Sequence, residues 1–201
     1  MDGVQSQLWI PSTAHVWELA VIKSLVDDSV TVETLLEKKT VTLKKSETHL
    51  LDETHMLSLD DLCHMNNLHE GPLLQMLHRR LMANQIYTYS SDVLISINPY
   101  AVIPGLYDDP LRYLTVADDE DEDEKAEDGK SRGGSATRAR NTALPPHVYE
   151  IAQNALRELT QERKASAAAA LLSQSIIISG ESGAGKTEAS KHAMAFLIKV
   201  R

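Results

Sequence analysis

The sequence predicts an α/β chain: a mixed sheet flanked by helices and incomplete in its strands, preceded by a small β unit. Three observations predict it. A β-branched run, Ile176-Ile177-Ile178, leads through a glycine-rich turn into apolar residues at helical spacing, Ala189, Ala193, Met194, Leu197 and Ile198. A second apolar run, residues 93–97, has the composition of an interior strand. Residues 16–44 alternate as half-buried strands do, most clearly at Val30, Val32, Val41 and Leu43.

Composition narrows the classes. With 201 residues and 42% hydrophobic content the chain can bury a sizeable core. The net charge of -9 argues against a nucleic-acid partner, and residues 118–128, with nine Asp or Glu and one Lys, account for most of it. Cys63, the single cysteine, cannot form an internal disulfide. The start has neither a basic nor an apolar leader region, and no apolar run approaches the roughly 18 residues that cross a bilayer. A cytoplasmic protein without a transmembrane segment is the expectation.

In chain order, residues 16–23, 29–36 and 40–44 read as a β meander within an N-terminal unit of residues 1–50. Trp17 in its first strand is either a ligand-binding aromatic or a core residue. His55, Cys63, His64 and His69 invite a metal reading, but no pair has ligand spacing, so packing and solvated surface is the expectation. Pro72 opens a helix over residues 72–84, with Leu73, Leu74, Met76, Leu77 and Leu81 largely on one face and packed on the sheet core. Residues 85–89 and 93–97 form a hairpin through Ser90-Ser91-Asp92, which ends at Asn98-Pro99-Tyr100, where proline stops further pairing.

Residues 114–144 are an acidic block followed by a Gly- and Arg-containing stretch, with too little apolar surface to offset ordering entropy, and are expected to be a disordered surface insertion. Pro145-Pro146 restart the fold, and Val148, Ile151, Ala152, Ala155, Leu156 and Leu159 predict an amphipathic helix over residues 146–164. The alanine-rich residues 165–172 extend it or begin another.

Gly180-Glu181-Ser182-Gly183-Ala184-Gly185-Lys186-Thr187 fits G-x-x-x-x-G-K-[ST] in the required setting of strand, turn and helix. Glycines without Cβ let successive N–H groups turn inward around an anion. The following helix, over residues 187–199, adds its positive end, Lys186 reaches the β and γ phosphates of a nucleotide, and the Thr187 hydroxyl ligates Mg²⁺. The domain of residues 51–201 is therefore the start of a P-loop NTPase-type mixed sheet. ATP and Mg²⁺ are the expected cofactors. Candidate catalytic residues are Lys186 and Ser182, and Glu181 and Ala184 complete the cofactor-binding loop.

The filling G-E-S-G-A-G-K-T-E resembles the phosphate loop of myosin motor heads. The stretch from Leu68-His69-Glu70 through Ile86-Tyr87-Thr88-Tyr89 to Ile97-Asn98-Pro99-Tyr100, and the run P-P-H-V-Y-E-I-A-Q-N-A-L from Pro145, resemble the same family. The resemblance implies an SH3-like fold for the N-terminal β unit. It also implies an adenine pocket at Asn98, Pro99, Tyr100 and Tyr107, although Tyr107 lies nine residues after Asn98, one more than the family's spacing.

The resemblance further implies an actin-dependent ATPase moving on actin filaments, with light chains or calmodulin on a neck, located at the actin cytoskeleton. The N-x-N-S-S-R and D-x-x-G-x-E switches of the family do not occur before the chain stops at Arg201. The expectation is an N-terminal fragment, inactive in isolation because phosphoryl transfer needs several positioned elements. Two other readings stand beside it, a truncated non-catalytic interaction module and a stand-alone small P-loop kinase or NTPase.

Overall fold

A computed structural model describes residues 6–115, 144–165 and 173–200. The acidic and basic parts of the predicted insertion, and all but the first of the alanine-rich residues 165–172, lie outside the described residues. The chain divides into two compact units, residues 1–83 and 84–201.

The first unit is built on five antiparallel strands: β1 (Gln7–Ser12), β2 (Val16–Val26), β3 (Ser29–Thr34), β4 (Thr40–Lys44) and β5 (His49–Leu50). Their order is β4-β3-β2-β1-β5, and the registers Leu8↔Ala20 and Ile22↔Val32 bring alternate residues onto one face. Leu8, Ile10, Ala20, Val30 and Val32 bury there, with Ile22, Val41 and Leu43 packed against them. The expected meander is present, and β2 runs three residues further than its alternation indicated.

Strand β1 was not anticipated, although its Leu8-Trp9-Ile10 run is among the most buried segments of the unit. Trp9 is fully enclosed, while Trp17 is half-buried and its indole N–H donates to Glu70 Oε2 at 3.1 Å. His55 is buried with both nitrogens used: Nδ1 accepts from Trp9 Nε1–H at 3.2 Å, which makes Nε2 the donor to Asn66 O at 2.8 Å.

The helix α1 (Glu70–Met82) starts two residues before Pro72, because His69 Nδ1 caps it by accepting from the Gly71 N–H at 3.2 Å. Burial holds the His69 imidazole well below its usual pKa, at about 4, so the capping nitrogen stays unprotonated near neutral pH. α1 packs on β2 within the first unit, with Met76 and Arg80 inward and Leu74 exposed. Gly71 allows the close approach: a Cβ there would stand 2.9 Å from the Trp9 ring.

Among the described residues the second unit holds a hairpin, β6 (Tyr87–Ser90) and β7 (Val93–Ser96), and three helices, α2 (Arg112–Thr115), α3 (Val148–Ala165) and α4 (Lys186–Lys199). The turn is two residues, with Ser91 at φ 52°. β6 is buried at Tyr87, Thr88 and Tyr89, whereas β7, expected inside, leaves Val93 exposed, since no further strand pairs with it among the described residues. Tyr89 is the inward anchor, donating its hydroxyl to Glu150 Oε2 of α3 at 2.5 Å.

Residues 175–179, expected to supply a strand, form no ladder, and both sheets are wholly antiparallel among the described residues. The mixed sheet is thus not formed there. β-branched composition favours a strand only where a partner takes up its backbone groups, and here Ile177 stays 90% exposed. α3 and α4 pack together through Tyr149 and Phe196, whose rings stack with centroids 5.1 Å apart. Phe196, absent from the predicted apolar face, is fully buried, while Met194 and Ile198 on that face are exposed.

The Gly71 contact can be tested directly. Both tryptophans lie in the first unit, so their fluorescence reports its unfolding alone. Gly71→Ala is expected to lower its stability by about 1–2 kcal/mol in urea titration. A raised midpoint would show that the gain in helix propensity, up to ~1 kcal/mol, outweighs any clash.

Candidate functional site

The site is assembled in the second unit by the turn before α4 and the segment after β7. Gly183 and Gly185 adopt φ 81° and 93°, values that a side chain would strain, and these two residues wrap the loop. Gly185 is the N-cap of α4 and offers no side-chain cap. The first helical bond in the turn is Ala189 N–H to Gly185 O at 3.0 Å, which leaves the earlier N–H groups of the helix facing the loop mouth. Uncapped N–H groups at the positive end of a 14-residue helix favour negative charge beside them.

Lys186 folds back across the loop, its Nζ donating to the carbonyl oxygens of Gly180 and Glu181, each at 2.8 Å. An ammonium spanning the loop in this way lies within its rim and can exchange these carbonyls for phosphate oxygens. Thr187 is exposed on the first turn, so its hydroxyl is open to solvent or a cation. Ser182 and Glu181 are exposed, and Ala184 is half-buried with its N–H donating to Glu181 O at 3.2 Å. Glu188 is taken by Lys191 at 2.7 Å, and this exposed pair holds its carboxyl below the usual range.

Asn98 reaches the loop across 85 positions of sequence. Its Nδ2 donates to Gly183 O at 2.7 Å, and its Oδ1 accepts from the Tyr100 N–H at 2.9 Å. The second bond supports Tyr100 at φ 49°, and the Tyr100 hydroxyl approaches Gly183 O at 3.4 Å. Pro99 between them is half-buried. Asn98 and Tyr100 therefore touch the phosphate loop.

Tyr107 stands elsewhere in the unit. Its ring lies parallel to that of His192 on α4, with centroids 3.4 Å apart and 6° between planes, and its hydroxyl meets that of Tyr87 at 2.9 Å. Burial raises the Tyr107 hydroxyl and lowers the His192 imidazole from their usual pKa values, so both rings are neutral at pH 7. His147 supports this wall: Nδ1 accepts from Tyr149 N–H at 3.1 Å, so Nε2 carries the proton donated to Leu106 O at 3.1 Å. Its burial pushes the imidazole down to about 4.

His192, His147 and Tyr149 were not singled out in the sequence. For His192 a signal existed, since it lies on the helix that follows the loop, one residue beyond the Glu188–Lys191 pair. The residues present fit a magnesium-bound polyphosphate: an uncapped helix start, an ammonium within the loop, and a free hydroxyl at the first turn.

Residues 59–201 match the family described as Myosin head (motor domain), and residues 4–50 match the Myosin N-terminal SH3-like domain. The chain is similar to unconventional myosin-VI of Sus scrofa, 33% identical over 191 residues, and to that of Homo sapiens, 34% identical over 191 residues, each alignment covering 94% of this chain. It is also similar to Myosin-51 of Schizosaccharomyces pombe, 32% identical over 203 residues and 99% of this chain. The chain spans only 12–13% of the length of these relatives.

The bond from Asn98 is expected to govern the order of the loop. In Asn98→Ala, amide hydrogen exchange at residues 180–185 should quicken by about 2- to 10-fold, the range for losing one exposed hydrogen bond, with α3 and α4 unchanged. Unaltered exchange in the loop would show that Asn98 does not restrain it.

Proposed function

This chain belongs to the myosin motor family, and from that premise we propose that residues 180–187 bind the phosphates of Mg·ATP, which the whole protein hydrolyses to move on actin filaments. The observation that carries the reading is the convergence of the Lys186 ammonium and the uncapped start of α4 on a loop whose Gly183 carbonyl is held by Asn98.

Each residue then has a role on its own atoms. Lys186 Nζ exchanges the carbonyls of Gly180 and Glu181 for β and γ oxygens, and the N–H groups of Gly183, Gly185 and Lys186 line the cup, that of Ala184 being held by Glu181 O. The Thr187 hydroxyl would hold Mg²⁺, which when bound neutralises charge that builds on the phosphates. Ser182, exposed at the loop's outer edge, is placed to contact the γ end. Asn98 and Tyr100 act by fixing the loop, and Pro99 sets the turn that brings them there. Tyr107, stacked on His192, offers a neutral aromatic wall to the base.

In the complete motor, Ile176-Ile177-Ile178 would enter a mixed sheet with partners that take up the backbone left unpaired here. Light chains or calmodulin would bind a neck that is not part of these 201 residues, at the actin cytoskeleton. No helix among the described residues is long and apolar enough to cross a membrane.

These residues carry the phosphate loop without either switch sequence, so binding and turnover should separate. A titration with fluorescent Mg·ATP is expected to saturate, Lys186→Ala should weaken it by about 100-fold, the effect of losing a charge-assisted contact worth ~2–3 kcal/mol, and phosphate release should stay at background. Release that is robust and lost in Lys186→Ala would contradict this reading in favour of a stand-alone NTPase.

A further inference from the structure

A second cavity lies wholly within the first unit, between the N-terminal sheet and α1, with a volume of about 520 Å³. That is the size of small-ligand sites, roughly 300–1,000 Å³. Trp9 and Gly71 form part of its lining, and Trp17, Leu36 and Leu74 contribute apolar surface. Leu36 and Leu74 are 64% and 47% exposed, so apolar side chains that would ordinarily be covered stand open at the cleft.

Two oxygens in the lining residues lack a hydrogen-bond partner although both are buried, Glu18 Oε2 on β2 and Gln75 Oε1 on α1. A buried acceptor without a donor is rare in a native fold because water is lost and nothing replaces it. Both atoms are acceptors, so the missing complement is a donor, and the carboxylate asks for a cation. Lys39, which lies within electrostatic reach of Glu18, is already paired with Glu37 at 2.5 Å. The Trp17 N–H is likewise taken by Glu70, and its ring, with His49 and His69 at centroid distances of 5.6 and 5.4 Å, adds apolar surface to the lining.

We propose that this cleft binds a primary alkylammonium ligand, its ammonium donating to Glu18 Oε2 and Gln75 Oε1 and its alkyl stem lying on Trp17, Leu36 and Leu74. Both oxygens are screened from solvent, so the two side chains rotate about their terminal torsions as the ligand enters. The site is separate from the phosphate loop and does not depend on it.

The test is a titration of the ¹⁵N-labelled 201-residue chain with n-hexylammonium, hexan-1-ol and hexanoate, read at the two indole N–H resonances, which both belong to residues lining the cleft. Hexylammonium is expected to shift them saturably and to bind at least about tenfold more tightly than the alcohol, with hexanoate weaker still. Glu18→Gln should weaken hexylammonium binding about tenfold and abolish its advantage over the alcohol. Leu74→Trp, at an exposed position, should block entry of all three. Equal binding of ammonium and alcohol, affinity unchanged by Glu18→Gln, or no saturable shift would each overturn the proposal. If Glu18→Gln does not fold, the comparison of the three probes on the unaltered chain and the Leu74→Trp block decide it.

Discussion

The hydrogen bond from Asn98 Nδ2 to Gly183 O is the contact on which the site depends. A loop of glycines that turns its N–H groups inward loses conformational entropy and gathers like-oriented dipoles, so something must hold it open before the anion arrives. Here a side chain 85 positions earlier holds one carbonyl, and Lys186 holds two more. The lysine bonds are exchangeable, because phosphate oxygens are better acceptors for an ammonium than peptide carbonyls. The Asn98 amide is held at both ends, its nitrogen on Gly183 O and its oxygen on the Tyr100 N–H.

Around that contact the second unit is braced by aromatic and imidazole rings more than by aliphatic packing. Tyr107 lies on His192, His147 stands edge-on to Tyr87 and Tyr107, and Tyr149 stacks on Phe196. The rings carry hydrogen bonds at their edges, from Tyr149 to Tyr107 O and from His147 to Leu106 O, so the backbone before α2 is fixed to α3 without a strand. Burial keeps His147 neutral, and the contribution of this arrangement is complete above the ordinary histidine pKa and lost as the pH falls from 6.5 toward about 4.

What the sequence made legible follows the range of the interactions involved. The phosphate loop could be read because its chemistry is fixed by residue types at a set spacing, and the start of α4 came with it. The alternation of Val30 and Val32 marked β3, because burial on one face is a local period. Strand β1 was missed because Leu8-Trp9-Ile10 is a short unalternating run ending in Pro11. Residues 175–179 have strand composition and no strand, because pairing depends on a partner and not on the run itself. The deeper burial of β6 than of β7 has the same origin: Tyr87 and Tyr89 gain hydroxyl partners in Tyr107 and Glu150 that no local pattern announces. Asn98 was assigned to the base pocket, and its contact with Gly183, long-range in sequence, could not be read from either motif alone.

If the loop before α4 is an anion cup formed in advance of its ligand, phosphates alone should fill it. The direct measurement is a titration of the ¹⁵N-labelled chain with magnesium pyrophosphate, which carries the phosphates without a base. Saturable amide shifts confined to Gly183, Ala184, Gly185, Lys186 and Thr187 are expected, present in the unaltered chain and absent in Lys186→Ala. Shifts spread over the exposed lysines of both units, or unchanged by Lys186→Ala, would contradict it.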